Sequence, residues 1–298
     1  MPTESAVTIR QPATANLLID SIDRGDSYAS PFDFQIVKPA SLMNGFFNRI
    51  GTTEVVLEWC EPNITNNTSA GLLNNEIVFD LSGSGANTYV GQLTVSLPVG
   101  HYTVEQVLDE IILELNDLSG TTGMTFAITG TGGTTALTST GGVFTIPEAL
   151  QTNIGSVLAL QLELIQETYV DSTGITCPDI RPYRYIDFVS QQLTYNQDLK
   201  DATTNTLVRD VLCRWYFADD VPTAYDGYGF PILMGYKPFV SRRLFSPPKQ
   251  IRWTNNQPLG NLGFQVYGYV PLTGLTQVPI LSQDNDTNWL MTLQMSEN

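Results

Sequence analysis

The chain holds one histidine, His101, and any Ser-His-Asp or Cys-His nucleophilic arrangement would have to use it. It stands in Pro98-Val99-Gly100-His101-Tyr102, where a turn residue is the simpler reading. Neither a GxSxG elbow nor a cysteine-protease signature accompanies it. Cupin-type metal centres need several histidines, which excludes that class. Paired carboxylates occur at Asp109-Glu110 and Asp219-Asp220. Glycoside hydrolysis needs two carboxyls converging in a cleft, and a helical pair more often forms a solvated face. Asp284-Asn285-Asp286-Thr287-Asn288 begins like a calcium loop, but Trp289 and Met295 stand where Gly and Glu are required. Gly130, Gly132 and Gly133 are not followed by a P-loop lysine. No catalytic residue, metal or cofactor is assigned.

Charge is distributed more tellingly than the net value of −16 suggests. Between Ile50 and Ile180 there is no Lys or Arg and there are fifteen Asp and Glu. Between Gly227 and Gln283 there is no acidic residue, and Lys237, Arg242, Arg243, Lys249 and Arg252 stand there. With a phosphate backbone repelled by the overall charge, the basic stretch is expected to meet an acidic protein neighbour rather than nucleic acid. Asp109, Glu110 and Glu114 are the matching acidic candidates for a contact between subunits. Arg24-Gly25-Asp26 is an integrin-type tripeptide and a possible attachment motif.

The elements that carry these residues are mostly strands. Charged residues make up only 15% of the chain, against roughly 25% in an average soluble domain. Thr, Ser, Asn and Gln therefore supply much of the polar surface. Alternation of apolar and polar residues predicts strands at Phe32–Val37, Glu76–Leu81, Gln92–Leu97 and Trp289–Met295. Denser apolar or aromatic runs do so at Glu54–Trp59, Arg184–Ser190, Leu207–Phe217, Gln250–Thr254 and Phe264–Val270. One helix is clear: Thr103 and Gln106 form a capping box, followed by Val104, Val107, Leu108, Ile111, Ile112 and Leu115 at helical spacing. A second, shorter helical pattern lies around Asn153–Leu160, and the Gly/Thr tract Gly130–Gly142 reads as a flexible tip.

The expected fold class is all-β, a single jelly-roll sandwich with an inserted small α+β module. Residues 1–28 are read as an N-terminal arm that orders against a partner, 29–100 and 169–298 as the jelly roll, and 101–168 as the insertion. Cys60, Cys177 and Cys213 suggest neither a disulfide framework nor a zinc site. No apolar run reaches the roughly 20 residues of a spanning helix, and no signal peptide is expected.

Four segments, in this order, resemble the penton (minor or vertex capsid) proteins of virophages and Polinton-like viruses, the mavirus type in particular. The first is Asp20-Ser21-Ile22-Asp23-Arg24 followed by Pro31-Phe32-Asp33-Phe34. The second is Leu97-Pro98-Val99-Gly100-His101-Tyr102-Thr103 leading into the amphipathic helix and later Ile154-Gly155-Ser156-Val157-Leu158. The third is Pro182-Tyr183-Arg184-Tyr185-Ile186. The fourth is Ile251-Arg252-Trp253, then Phe264-Gln265-Val266-Tyr267-Gly268-Tyr269, closing on Trp289-Leu290-Met291-Thr292-Leu293. A departure is Val270-Pro271-Leu272-Thr273-Gly274, where an acidic residue is expected before the Gly. The resemblance implies a non-enzymatic capsid protein, made in a host cytoplasm and located at the virion vertex. It implies a homopentamer set among trimers of a double-jelly-roll major capsid protein, with no direct nucleic-acid contact and no membrane span. The competing reading is a receptor- or glycan-binding jelly roll presenting Tyr225, Tyr228 and Tyr236. A third is a β-sandwich hydrolase using acidic residues alone.

Overall fold

The structure is a computed structural model, and it describes residues 14–25, 30–37, 47, 49–67, 72–73, 75–118, 123–131, 134–145, 168–170, 176–178, 180–181, 183–194, 211–217, 224–252, 261–269, 278–280 and 287–297. In chain order the first strands are β1 (Thr14–Asp20), β2 (Asp33–Val37), β3 (Arg49–Trp59), β4 (Asn66–Asn67), β5 (Leu72–Leu73), β6 (Glu76–Gly83) and β7 (Val90–Ser96). Helix α1 (Val104–Leu118) follows, then β8 (Thr125–Thr131), β9 (Thr134–Thr140), β10 (Gly142–Thr145), β11 (Thr168–Val170) and β12 (Thr176–Pro178). The last part holds β13 (Tyr185–Val189), α2 (Gln191–Thr194), β14 (Val211–Tyr216), β15 (Phe239–Leu244), β16 (Gln250–Arg252), β17 (Asn261–Gly268), β18 (Val278–Pro279) and β19 (Asn288–Ser296).

Two antiparallel sheets make the sandwich. The first runs β1-β19-β3-β15, with β16 also on β3; the second runs β14-β13-β17-β18, with β2 also on β17. Their inner faces interdigitate because each strand alternates. Trp289, Met291, Leu293 and Met295 of β19 and Leu262, Phe264 and Val266 of β17 are all buried. Trp289 is the centre of this core. Its ring lies 5.1 Å from Phe188, 5.4 Å from Phe34 and 5.7 Å from Phe264, centroid to centroid. Its indole Nε1–H donates to the Pro31 carbonyl at 2.8 Å, so the one polar atom of the buried ring is satisfied. This all-β jelly roll agrees with the expected fold class.

A second core lies beside the first. The sheet β10-β6-β7 packs with α1 and β8, burying Ile77, Phe79, Leu81 and Val95 against Val107, Leu108, Ile111 and Leu115. The capping box is formed as the sequence requires. Thr103 Oγ1 accepts from Gln106 N–H at 3.3 Å, and Gln106 Oε1 accepts from Thr103 N–H at 2.9 Å.

Three expectations differ from what the structure contains. Residues 14–20, assigned to the arm, are strand β1, paired along its length with β19 from Thr14↔Ser296 to Asp20↔Leu290. The short apolar patch at Leu17–Ile19 was too brief to read as a strand, and its partner lies at the other end of the chain. Strands β6 and β7, assigned to the sandwich, belong to the second core, because alternation marks a buried face without saying what buries it. The tract Gly130–Gly142, read as a flexible tip, contains β9, which pairs with β8 over seven residues. Its β-branched threonines favour extended backbone, and Thr138 Oγ1 donates to the Ala127 carbonyl at 3.1 Å. The helical pattern around Asn153–Leu160 lies outside the described residues.

Candidate functional site

His101 is placed between the two cores. Its Nε2 is 3.0 Å from the Cys60 carbonyl, so this nitrogen carries the proton, and Nδ1 has no hydrogen-bond partner among the described residues. Next to it, the Asn63 side chain accepts from Tyr102 N–H at 2.9 Å and donates to the Tyr102 carbonyl at 2.8 Å. Ile64 and Gly100 exchange both backbone bonds at 3.1 Å. The turn is a splice holding the second core onto the end of β3. Among the described residues no group of three His, Cys, Asp or Glu side chains could hold a metal ion.

The basic candidates do not form one patch. Strand β15 pairs with β3 at the edge of the first sheet, so its residues alternate between faces. Arg242 points outward and forms an ion pair with Glu54 of β3. Arg243 points the other way, with its guanidinium carbon 5.2 Å from the Trp215 ring centroid. Lys249 donates to the Val211 carbonyl at 3.0 Å, and Lys237 is exposed. Arg252 pairs with Arg49 through β16 and β3. Arg242 thus spends its charge on an acidic residue of the same chain. The outer face of this sheet also carries exposed apolar residues: Val240 is 70% exposed, Leu244 64% and Leu18 60%.

The acidic candidates share α1 but have different surroundings. Asp109 accepts from the Tyr228 hydroxyl at 2.7 Å, and this bond to the carboxylate pushes the phenol up to about 12. Glu110 and Glu114 are half-buried and Leu113 is exposed. The start of α1 is clasped by the loop at 226–230. Asp226 accepts from Glu105 N–H at 3.0 Å, from Phe230 N–H at 2.8 Å and from Tyr228 N–H at 3.1 Å. In return the Glu105 carboxylate accepts from Gly227 N–H at 2.7 Å. A Cβ on Gly227 would collide with the Glu105 carboxylate, so the close approach requires glycine there. Burial raises the Asp226 carboxyl above its ordinary value, against the pull of its backbone donors.

Of the aromatic trio, Tyr225 is exposed, Tyr228 is engaged with Asp109, and Tyr236 is fully buried. Tyr236 therefore cannot face a ligand, because its ring is needed to close the second core. Arg24 of the Arg-Gly-Asp tripeptide donates to the Ser21 carbonyl at 2.8 Å and to Asn288 Oδ1 at 3.2 Å. Gly25 is exposed, and Asp26 lies outside the described residues.

The sequence reading missed the polar network on the outward face of the second sheet. Asp187 of β13 is fully buried and accepts two bonds from Arg214 of β14, at 2.7 and 2.8 Å. That guanidinium lies 3.9 Å from the Tyr185 ring centroid, and Tyr185 in turn stacks on Tyr269 at 4.9 Å and 9°. The signal was opposite charges in the middle of two aromatic strands, Tyr185-Ile186-Asp187 and Cys213-Arg214-Trp215.

No protein-family pattern and no curated protein matches the chain. In three dimensions it aligns with the mavirus penton protein at a TM-score of 0.50 and 12% identity, covering 97% of this chain and 100% of that one. The chain is thus similar in fold to that penton protein. At 12% identity the likeness is one of fold, carried by the order and packing of the strands. A chain from the Sputnik virophage aligns at a TM-score of 0.44 and 11% identity, over 96% and 98% of the two chains. Among the described residues no helix is long and apolar enough to cross a membrane.

Proposed function

We propose that this protein is a structural capsid subunit that builds the pentameric vertex of an icosahedral, virophage-type particle. The observation that carries the reading is agreement in fold with the mavirus penton protein along nearly the whole chain. In this role the protein assembles rather than turns over substrate, and it resides in the virion after synthesis in a host cytoplasm. Its partners are four further copies and the double-jelly-roll major capsid protein around them. A fivefold ring repeats one heterologous contact, so two different surfaces of each subunit must match. The exposed Val240, Leu244 and Leu18 on the first sheet, with Arg242 on the same face, suit one such surface. The acidic side of α1, with Asp109, Glu110, Glu114 and exposed Leu113, suits another.

Light scattering and negative-stain averaging test this. The expected particle is a fivefold ring of about 164 kDa, five times the 32.8 kDa chain. If the protein alone is monomeric, co-expression with the major capsid protein should recruit it to vertices. A trimer, or no recruitment, would overturn the proposal.

A further inference from the structure

Strand β17 alternates buried Leu262, Phe264 and Val266 with outward Gly263, Gln265 and Tyr267, so Gly263 leaves a gap in the outward row of the second sheet. Beside that gap β13 has ended, and Gln192 of α2 takes over the ladder: its Oε1 accepts from Gly263 N–H at 3.0 Å. A Cβ at 263 would stand 3.3 Å from both the Oε1 and Nε2 atoms of Gln192. Glycine is there for space, which in the middle of a strand often marks a place where another group approaches closely. The space is an open cleft of about 100 Å³, lined by Asp33, Gln35, Val189, Gln192, Gly263 and Gln265.

Its polar groups are set in one sense. The Gln192 oxygen is held by Gly263 N–H, the Gln35 oxygen accepts from Asn261 Nδ2 at 3.2 Å, and the Gln265 oxygen accepts from the Tyr267 hydroxyl at 2.8 Å. With the three acceptor ends occupied by the protein, the three amide nitrogens are left to donate at the cleft, beside one acceptor, the Asp33 carboxylate. We propose that this cleft binds a neutral, hydroxyl-rich ligand, a single sugar unit of a glycan, whose hydroxyls both accept from the amides and donate to Asp33. Asp33 disfavours an anion, and one carboxylate is too few to hold a cation. An apolar ligand would strip water from three amides without replacing their bonds. An extended peptide finds no free ladder, since β17 is paired with β13 on one side and β2 on the other. The site is separate from Tyr225 and Tyr228 and does not depend on the vertex assignment.

The test is saturation-transfer NMR on the full chain with the methyl glycosides of glucose, galactose, mannose and N-acetylglucosamine, and with N-acetylneuraminic acid. At least one neutral glycoside should bind, with a Kd of order 1 mM, as expected for about 4 kcal/mol from one small contact. Gly263→Ala and Gln192→Ala should each weaken it at least tenfold, while Asn16→Ala on the far sheet should leave it unchanged. Gln35→Ala, on the exposed rim, gives the same readout without touching the Gly263 bond. Binding of none of the four neutral sugars, binding of the anionic sugar alone, or binding indifferent to these substitutions would each overturn the assignment.

Discussion

The sandwich and the second core are stabilised by different kinds of side chain, and they should fail in different ways. The sandwich closes on rings: Trp59, Trp289, Phe34, Phe188 and Phe264 come from five strands spread over the whole chain, and Trp289 touches three of the other rings. The second core is aliphatic where the helix meets the sheet, with Val104, Val107, Leu108, Ile111 and Leu115 all drawn from one fifteen-residue helix. A core assembled from distant strands is cooperative across the fold. A core resting on one helix can open locally, because fewer parts of the chain must separate.

Substitutions can separate the two behaviours. Trp289→Ala should cost about 3–5 kcal/mol and lower amide protection in both sheets of the sandwich, read by denaturant unfolding and hydrogen exchange. Protection lost only near β19 would contradict cooperativity. Arg214→Met takes the guanidinium away from the buried Asp187 carboxylate and should cost about 3 kcal/mol. The double variant Asp187→Val/Arg214→Met should recover most of that loss, a non-additivity that a urea titration measures directly. Leu108→Ala should cost about 2–3 kcal/mol. Its loss of protection should stay within α1, β6, β7 and β8, and spreading into β19 and β17 would erase the distinction.

The clasp at Asp226 has a predictable pH sign. Burial raises its carboxyl, so folding favours the neutral form. The group's contribution is therefore fully present below the ordinary carboxylate value and is lost as pH rises through its folded value. Measured between about pH 3.5 and 6, the stability of the wild type relative to Asp226→Asn should fall as pH rises. Removing the caps altogether with Asp226→Ala should cost about 1 kcal/mol near pH 3.5 and less as the pH rises. The smallest effect is expected at Arg242→Ala. Its ion pair with Glu54 sits on a surface where the Arg side chain is 63% exposed, so thermal unfolding should move by less than about 1 kcal/mol.

Local patterns were legible wherever a residue's neighbours in sequence are also its neighbours in space. Helix α1 and its capping box follow from Thr103, Gln106 and a 3.6-residue apolar period, and each proved correct because all of its bonds lie within one segment. The setting of His101 was not legible in this way, since its Nε2 meets the Cys60 carbonyl 41 residues away. Nor was partner choice. That Asp187 meets Arg214, that Arg242 spends its charge on Glu54, and that Tyr236 is sealed inside all depend on registers between distant strands. The cleft at Gly263 was equally invisible, because Gln35, Gln192 and Gln265 come from three separate elements.

Composition and periodicity were enough to establish a β-rich chain with an amphipathic helix at Val104–Leu118, because backbone preference and burial of one face act over a few residues at a time. Tertiary structure alone decided that β1 belongs to the sandwich, that β6 and β7 do not, and that Arg242 meets Glu54. Those outcomes depend on which strands pair, and pairing is selected by the packing of the entire sheet.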